Sequence, residues 1–229
     1  MTFSRYLCVF VDAQGYSRRD DRAQAGLQRE LVDLLDAAGA AVGLDRASWH
    51  RQGSGDGELS LVPSTEPETV VVQDFALELA RRLAVRNVAG PDRLRLRMAV
   101  DHGLARVEAN GFAGATVVGV ARMADAQAVR AVLDEARGAP LVQVLSDQLY
   151  HGIVEGGHAA APAEFRMITL RNKEFTAQAW VRAPGADLGD APAPPAEPTP
   201  VVRPDGQVVT VTFSGPVDVN GGVIGISNR

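Results

Sequence analysis

The sequence predicts an α+β fold of the ferredoxin-like, split βαβ type, with helices laid on one face of a sheet. Three observations point to it: the element order β-α-β-β-α-β, an uninterrupted apolar run near the N-terminus, and a glycine-rich hairpin between two strand-like segments. The apolar run is residues 6–12 (Tyr-Leu-Cys-Val-Phe-Val-Asp), which reads as a buried central strand ending in a carboxylate. Gln14, Gly15 and Ser17 break it. Leu27, Leu31, Leu34 and Leu35 then recur at helical spacing, with Gly39 and Gly43 marking the end of that helix. Trp49–Arg51 and Glu58–Val62 flank Gly53-Ser54-Gly55-Asp56-Gly57, which reads as the hairpin. A second helix carries Val72, Phe75, Ala76, Leu79 and Leu83 on one face.

Arg93–Val100 alternates arginine with apolar residues, as a half-exposed strand does, and Leu104–Glu108 is expected to pair back on it after Asp101-His102-Gly103. A third helix is expected over 116–136, then a strand over 141–145 and a short helix from Ser146. Two last strands, 165–170 and 176–181, close the domain around Arg171-Asn172-Lys173. The domain thus spans 1–183. Residues 184–204, rich in Pro and Ala, form a stiff linker that cannot bury a core, and 205–229 read as a short β-rich hairpin tail.

Composition narrows the function. In 229 residues, apolar side chains make up 46%, enough for a substantial core and against global disorder. A formal net charge of −5 gives no basic footprint for nucleic acid. Cys8 is the only cysteine, which excludes an intramolecular disulfide and a Cys-rich metal site. No signal core and no spanning apolar run is visible, so the expectation is a cytoplasmic protein without direct membrane insertion.

Chemistry concentrates in two aspartates. Asp12 ends the first strand and Asp56 sits at the hairpin tip; in a βαββ unit these strands are neighbours, so both carboxylates can meet at one sheet edge. Paired hard oxygen donors suit Mg²⁺ or Mn²⁺, and two such ions can serve an in-line displacement at phosphorus. The glycines around Asp56 allow a polyphosphate to approach the backbone. Each aspartate also has a plain structural reading, Asp12 as a turn cap and Asp56 as the Asp-Gly of a tight hairpin.

Four motifs in order shift that balance. Asp12-Ala13-Gln14-Gly15-Tyr16-Ser17, Gly55-Asp56-Gly57, Leu96-Arg97-Met98-Ala99-Val100-Asp101-His102-Gly103 and Gly114 through Met123 resemble the motifs of class III adenylyl and guanylyl cyclases, across roughly residues 5–182. The resemblance implies that Asp12 and Asp56 hold two Mn²⁺ or Mg²⁺ ions per site, with the Ala13 carbonyl as a further ligand. It implies that a nucleoside triphosphate is cyclised by attack of its 3′-hydroxyl on the α-phosphorus. Arg122 matches the arginine that neutralises charge on the α-phosphate, and Arg171 or Lys173 matches the turn that holds the terminal phosphates. In the family the metals and the arginine come from opposite subunits, so the resemblance implies a homodimer.

The base-reading positions depart from the family. Where adenylyl and guanylyl cyclases carry Lys or Glu, this chain has Gln52; where they carry Asp, Thr or Cys, it has Gly111; and Val118 replaces the ribose-orienting Asn. Neither purine code is present. The bulky Trp49 and His50 precede Arg51-Gln52 next to this pocket, and a large ring there, Trp49 above all, is expected to shorten it to fit a single-ring base, with Trp49 as a core aromatic the alternative. The Trp-His-Arg-Gln-x-x-Gly-Asp-Gly-Glu-Leu segment is similar to that of the pyrimidine cyclases of bacterial antiphage signalling, the Pycsar systems. That resemblance implies a cyclase making cyclic UMP or cyclic CMP, with UTP placed ahead of CTP, whose product activates a separately encoded effector in antiviral defence. The competing readings are an adenylyl cyclase with an atypical base pocket and a catalytically silent cyclase-like scaffold. A diguanylate cyclase is disfavoured because Gly-Ser-Gly-Asp-Gly-Glu-Leu lacks that family's Gly-Gly-Asp/Glu-Glu-Phe sequence.

Overall fold

The computed structural model describes residues 2–90, 92–159, 162–172 and 175–189. Its centre is an eight-stranded sheet built on β1 (Ser4–Ala13), flanked by β3 (Gly57–Val62) and β4 (Leu96–Glu108), both antiparallel to it. β2 (His50–Gly53) extends the sheet beyond β3; β6 (Leu141–Ser146), β8 (Phe175–Arg182) and β7 (Arg166–Asn172) extend it beyond β4, giving the order β2-β3-β1-β4-β6-β8-β7. The β4–β6 pair is parallel, as a split βαβ unit requires. β5 (Gly111–Ala113) pairs only with the distal part of β4.

Helices cover both faces rather than one. Strand side chains alternate between faces, so Leu7, Val9, Val11 and Ala13 of β1 join one core with α1 (Asp21–Ala41) and α3 (Ala76–Ala89). Cys8, with Phe10 packed alongside, points to a second core under α4 (Ala115–Asp125) and α5 (Gln127–Glu135). We call these the back and the front. A sheet this apolar on both sides must be covered on both.

Several sequence expectations shift. The first helix is capped by Asp20, whose side chain accepts the Ala23 amide at 2.8 Å, and it continues through Gly39 to Ala41. Gly39 is not a stop signal but a space: a Cβ there would lie 2.6 Å from Cδ of Arg46. Leu104–Glu108 does not pair back on the preceding strand but continues it, and the return strand is β5. Residues 116–136 form two helices, because Ala126 adopts an extended conformation (φ −61°, ψ 139°) that turns Val129, Val132 and Leu133 onto the sheet. The second helix begins as α2 (Glu68–Val70) and passes through a π-helical stretch, Val71–Phe75, into α3. The carbonyl of Val72 in that stretch accepts from buried Gln143 (2.7 Å) and Arg182 (3.0 Å). After β6, Ser146 caps α6 (Asp147–Leu149), which runs on as a second π-helical stretch, Tyr150–Glu155.

The first residues of the stretch read as linker lie on the domain. Leu188 is buried, and its carbonyl accepts from Arg166 at 2.7 Å. The rest of that stretch and the tail at 205–229 lie outside the described residues. Among the described residues no helix is long and apolar enough to cross a membrane.

Candidate active site

Asp12 and Asp56 meet where the sequence places them. Asp12, the penultimate residue of β1, stands opposite Gly57 of β3, and the Ala13 amide donates to the Asp56 carbonyl at 2.8 Å. Gly57 makes the approach possible: a Cβ there would fall 2.3 Å from the Val11 carbonyl oxygen, so any side chain would push the hairpin off β1. Both aspartates and Ala13 line a cavity of about 460 Å³.

Asp12 is only 7% exposed, and its pKa is raised. Burial is the main cause; the guanidinium of Arg97 works against it, and the nearby Asp56 and Asp125 add to it. Arg97, opposite Asp12 on β4, hydrogen-bonds the Asp12 carboxylate and lies 3.9 Å from Asp125. A carboxylate pair in this setting calls for positive charge, and Arg97 supplies it here. The donor set fits a divalent ion: two adjacent carboxylates of the hard type, with room beside them for phosphate oxygens. Among the described residues no group of three or more His, Cys, Asp or Glu side chains is placed to hold a metal, so remaining ligands would come from backbone, water or substrate.

Arg122 and Arg171 join Asp12 along a second cavity of about 510 Å³ on the front face. Both arginines are exposed, free to reach a bound anion. The sequence reading reaches Arg122 only across a subunit interface; within one chain it already lines a cavity with Asp12. Val118, one turn before Arg122 on α4, is 48% exposed. Lys173 lies outside the described residues.

The base-reading positions divide between the two faces. Gln52 stands opposite Leu59 and His50 opposite Leu61, so both side chains share the front with those leucines. Trp49 goes the other way. It is 4% exposed, meets Phe75 edge to face with centroids 5.8 Å apart, and lies under the Arg46 guanidinium at 4.9 Å. This corrects the expectation that Trp49 shortens the base pocket: it is a core aromatic of the back. Gly111, on β5, is brought against the Gln52 amide although 59 positions separate 111 from 52.

Sequence reasoning passed over Arg97, Asp125 and Tyr6. Tyr6 meets His50 edge to face at 6.0 Å on the front. His50 was legible, since a residue two before Gln52 in a strand shares its face. Arg97 was hidden among Arg93, Arg95 and Arg97, from which only strand register selects the partner of Asp12.

The sequence matches no family model and no curated protein. Solved structures do resemble it. An adenylate/guanylate cyclase/hydrolase from Silicibacter pomeroyi superimposes with a TM-score of 0.54 at 20% identity, over 80% of this chain and 99% of that one. The adenylyl cyclase CyaB from P. aeruginosa gives a TM-score of 0.54 at 14% identity, over 82% and 100%. The guanylate cyclase domain of RhGC from Catenaria anguillulae, in complex with GTP, gives 0.53 at 18%, over 79% and 97%. The chain has the α+β fold of class III nucleotide cyclase catalytic domains.

Proposed function

We propose that this protein is a metal-dependent nucleotidyl cyclase that converts a pyrimidine nucleoside triphosphate, UTP ahead of CTP, to its 3′,5′-cyclic monophosphate. The observation that carries the reading is the meeting of Asp12 and Asp56 at one sheet edge, beside a cavity that Asp12 also lines. In this reading the two carboxylates hold Mn²⁺ or Mg²⁺, with the Ala13 carbonyl beside them. The bound ions supply Lewis acidity for the 3′-hydroxyl and charge neutralisation for the phosphates.

The reaction is a displacement at the α-phosphorus. The 3′-oxygen forms a bond to it, the bond to the β-phosphate oxygen breaks, pyrophosphate leaves and the hydroxyl proton passes to solvent. Arg122 offsets the negative charge that builds on the α-phosphate, where a preorganised donor contributes about 10²–10³ in rate. Arg171 or Lys173 holds the terminal phosphates. Arg97 is the cation that pairs with Asp12; with a divalent ion held by Asp12 and Asp56, its guanidinium would be left to pair with Asp125 or with a phosphate oxygen beside Asp12.

Pyrimidine selection rests on the front face. Gln52 and Gly111 carry neither purine code, and the Gln52 amide can both donate and accept. The similarity of the 49–59 segment to Pycsar cyclases supports the further reading that the cyclic product is a second messenger in antiphage defence, read by a separately encoded effector. We also infer a homodimer in which the metal pair of one subunit works with Arg122 of the other. Mixing Asp56→Ala with Arg122→Ala chains tests that arrangement. The expected result is recovery of turnover, up to one intact site per mixed dimer, abolished by EDTA and restored by Mn²⁺. Mixtures that stay inactive while both variants dimerise overturn the shared site.

A further inference from the structure

Gly111 has φ +114°, a backbone conformation that residues with a Cβ rarely adopt. Its near neighbour is the end of one side chain. A Cβ built at 111 would lie 2.4 Å from Oε1, 2.7 Å from Nε2 and 2.8 Å from Cδ of Gln52, so the three closest atoms all belong to one carboxamide. Those separations are well inside van der Waals contact. A side chain at 111 and Gln52 in its present position therefore exclude each other. The sequence treats positions 52 and 111 as two letters of a base code, but the fold makes them one.

We propose that Gly111 is a positioning residue for Gln52: by having no side chain it seats the Gln52 carboxamide, and the seated amide alone does the hydrogen-bond reading of the base. The proposal rests on the nucleotide-binding reading above and deepens it. A carboxamide offers a donor and an acceptor side by side, which can pair with the Watson–Crick edge of any base; held in one place, it favours a pyrimidine because the corresponding edge of a purine lies farther from the ribose. Swung away from Gly111, it leaves that edge unpaired. A neutral hydrogen bond lost in this way is worth about tenfold in discrimination.

The test is a double-mutant cycle on the full chain, reading kcat/KM for UTP, CTP, ATP and GTP with Mn²⁺ in wild type, Gln52→Ala, Gly111→Ala and the double variant. Each single change is expected to lower the ratio of the preferred pyrimidine to the purines by about tenfold, and the double variant to lower it no further than either alone. Equal loss for all four substrates with the ratio intact overturns the proposal, because it reports backbone strain only. Losses that multiply in the double variant also overturn it. If Gly111→Ala fails to fold, Gln52→Asn is the second variant; it keeps the glycine but withdraws the amide by one methylene and is expected to show the same tenfold loss, retention of the wild-type ratio being the contrary result. If wild type forms no cyclic product, the cyclase reading fails by itself, and the same cycle is read from dissociation constants of the four triphosphates. A wild-type chain that does not discriminate among them in binding or turnover overturns the proposal.

Discussion

Residues 46–62, the β2–β3 hairpin and the turn leading into it, present two faces that are chemically opposite. On the back, Trp49 is 4% exposed, Arg46 5% and Glu58 5%, and the charges are paired: Arg46 donates to Glu58 at 2.8 Å and to Asp36 at 2.8 Å, and the Ser60 hydroxyl donates to Glu58 at 2.7 Å. On the front, His50 and Gln52 are exposed and Asp56 at the tip is half-buried, facing the cavity it shares with Asp12. A buried, fully paired back fixes the position of the hairpin; a front left open keeps its polar groups for a ligand. Within the strands the pleat decides which residues fall on which side.

The largest expected effect is at the tip. Asp56→Ala should reduce Mn²⁺-supported turnover by about 10³-fold or more, the several kcal/mol that metal-held charge contributes. Its urea unfolding free energy should stay within about 0.5 kcal/mol of wild type, as for a turn position outside the core. Turnover that survives would break the comparison by making the front ordinary surface.

Trp49→Ala should act in the opposite sense, lowering stability by about 3–5 kcal/mol in urea titrations through the cavity it leaves against Phe75. Trp49→Phe keeps most of that volume and should leave the ratio of pyrimidine to purine turnover unchanged. A changed ratio would move Trp49 to the front.

The smallest effect concerns Asp36 on α1, which accepts from Arg46 and Arg51 behind the hairpin. Burial pushes its carboxyl up, but the two guanidiniums outweigh this and hold its pKa below the ordinary carboxylate value. The folded chain therefore favours the ionised form. That stabilisation is whole at neutral pH and is lost as pH falls from the ordinary value, about 4, through the folded one. Asp36→Asn should destabilise by about 0.5–1 kcal/mol at pH 7, the side chain being 45% exposed, and the difference from wild type should shrink as pH falls below about 4. A difference that does not shrink as pH falls below about 4 would show that Asp36 acts through packing rather than charge.

Much of the architecture was legible because it rests on periodicity. The apolar run of β1 and the leucine spacing of α1 specify their elements without help from distant residues, and the glycines around Asp56 announce the hairpin. What was not legible depends on partners far away in the chain. Gly39 reads as a helix end until Arg46 is seen filling the space above it. The break at Ala126 has no proline or glycine to signal it, and follows from the second core that α5 must reach. The continuation of β4 through Asp101-His102-Gly103 needs Gly103, because a side chain there would collide with Thr116 of α4. In the candidate site, Asp12 and Asp56 were readable from strand adjacency. The seat of Gln52 on Gly111 was not, since it depends on β4 and β5 bringing residue 111 back over the sheet.

The most direct test is a single product analysis: the purified chain incubated with Mn²⁺ and an equimolar mixture of ATP, GTP, CTP and UTP, with the products resolved by mass. Pyrophosphate and 3′,5′-cyclic UMP are the expected products, with cyclic CMP as the lesser one. Cyclic AMP or cyclic GMP alone would contradict the pyrimidine assignment, and a folded chain that forms no cyclic nucleotide would contradict the catalytic one.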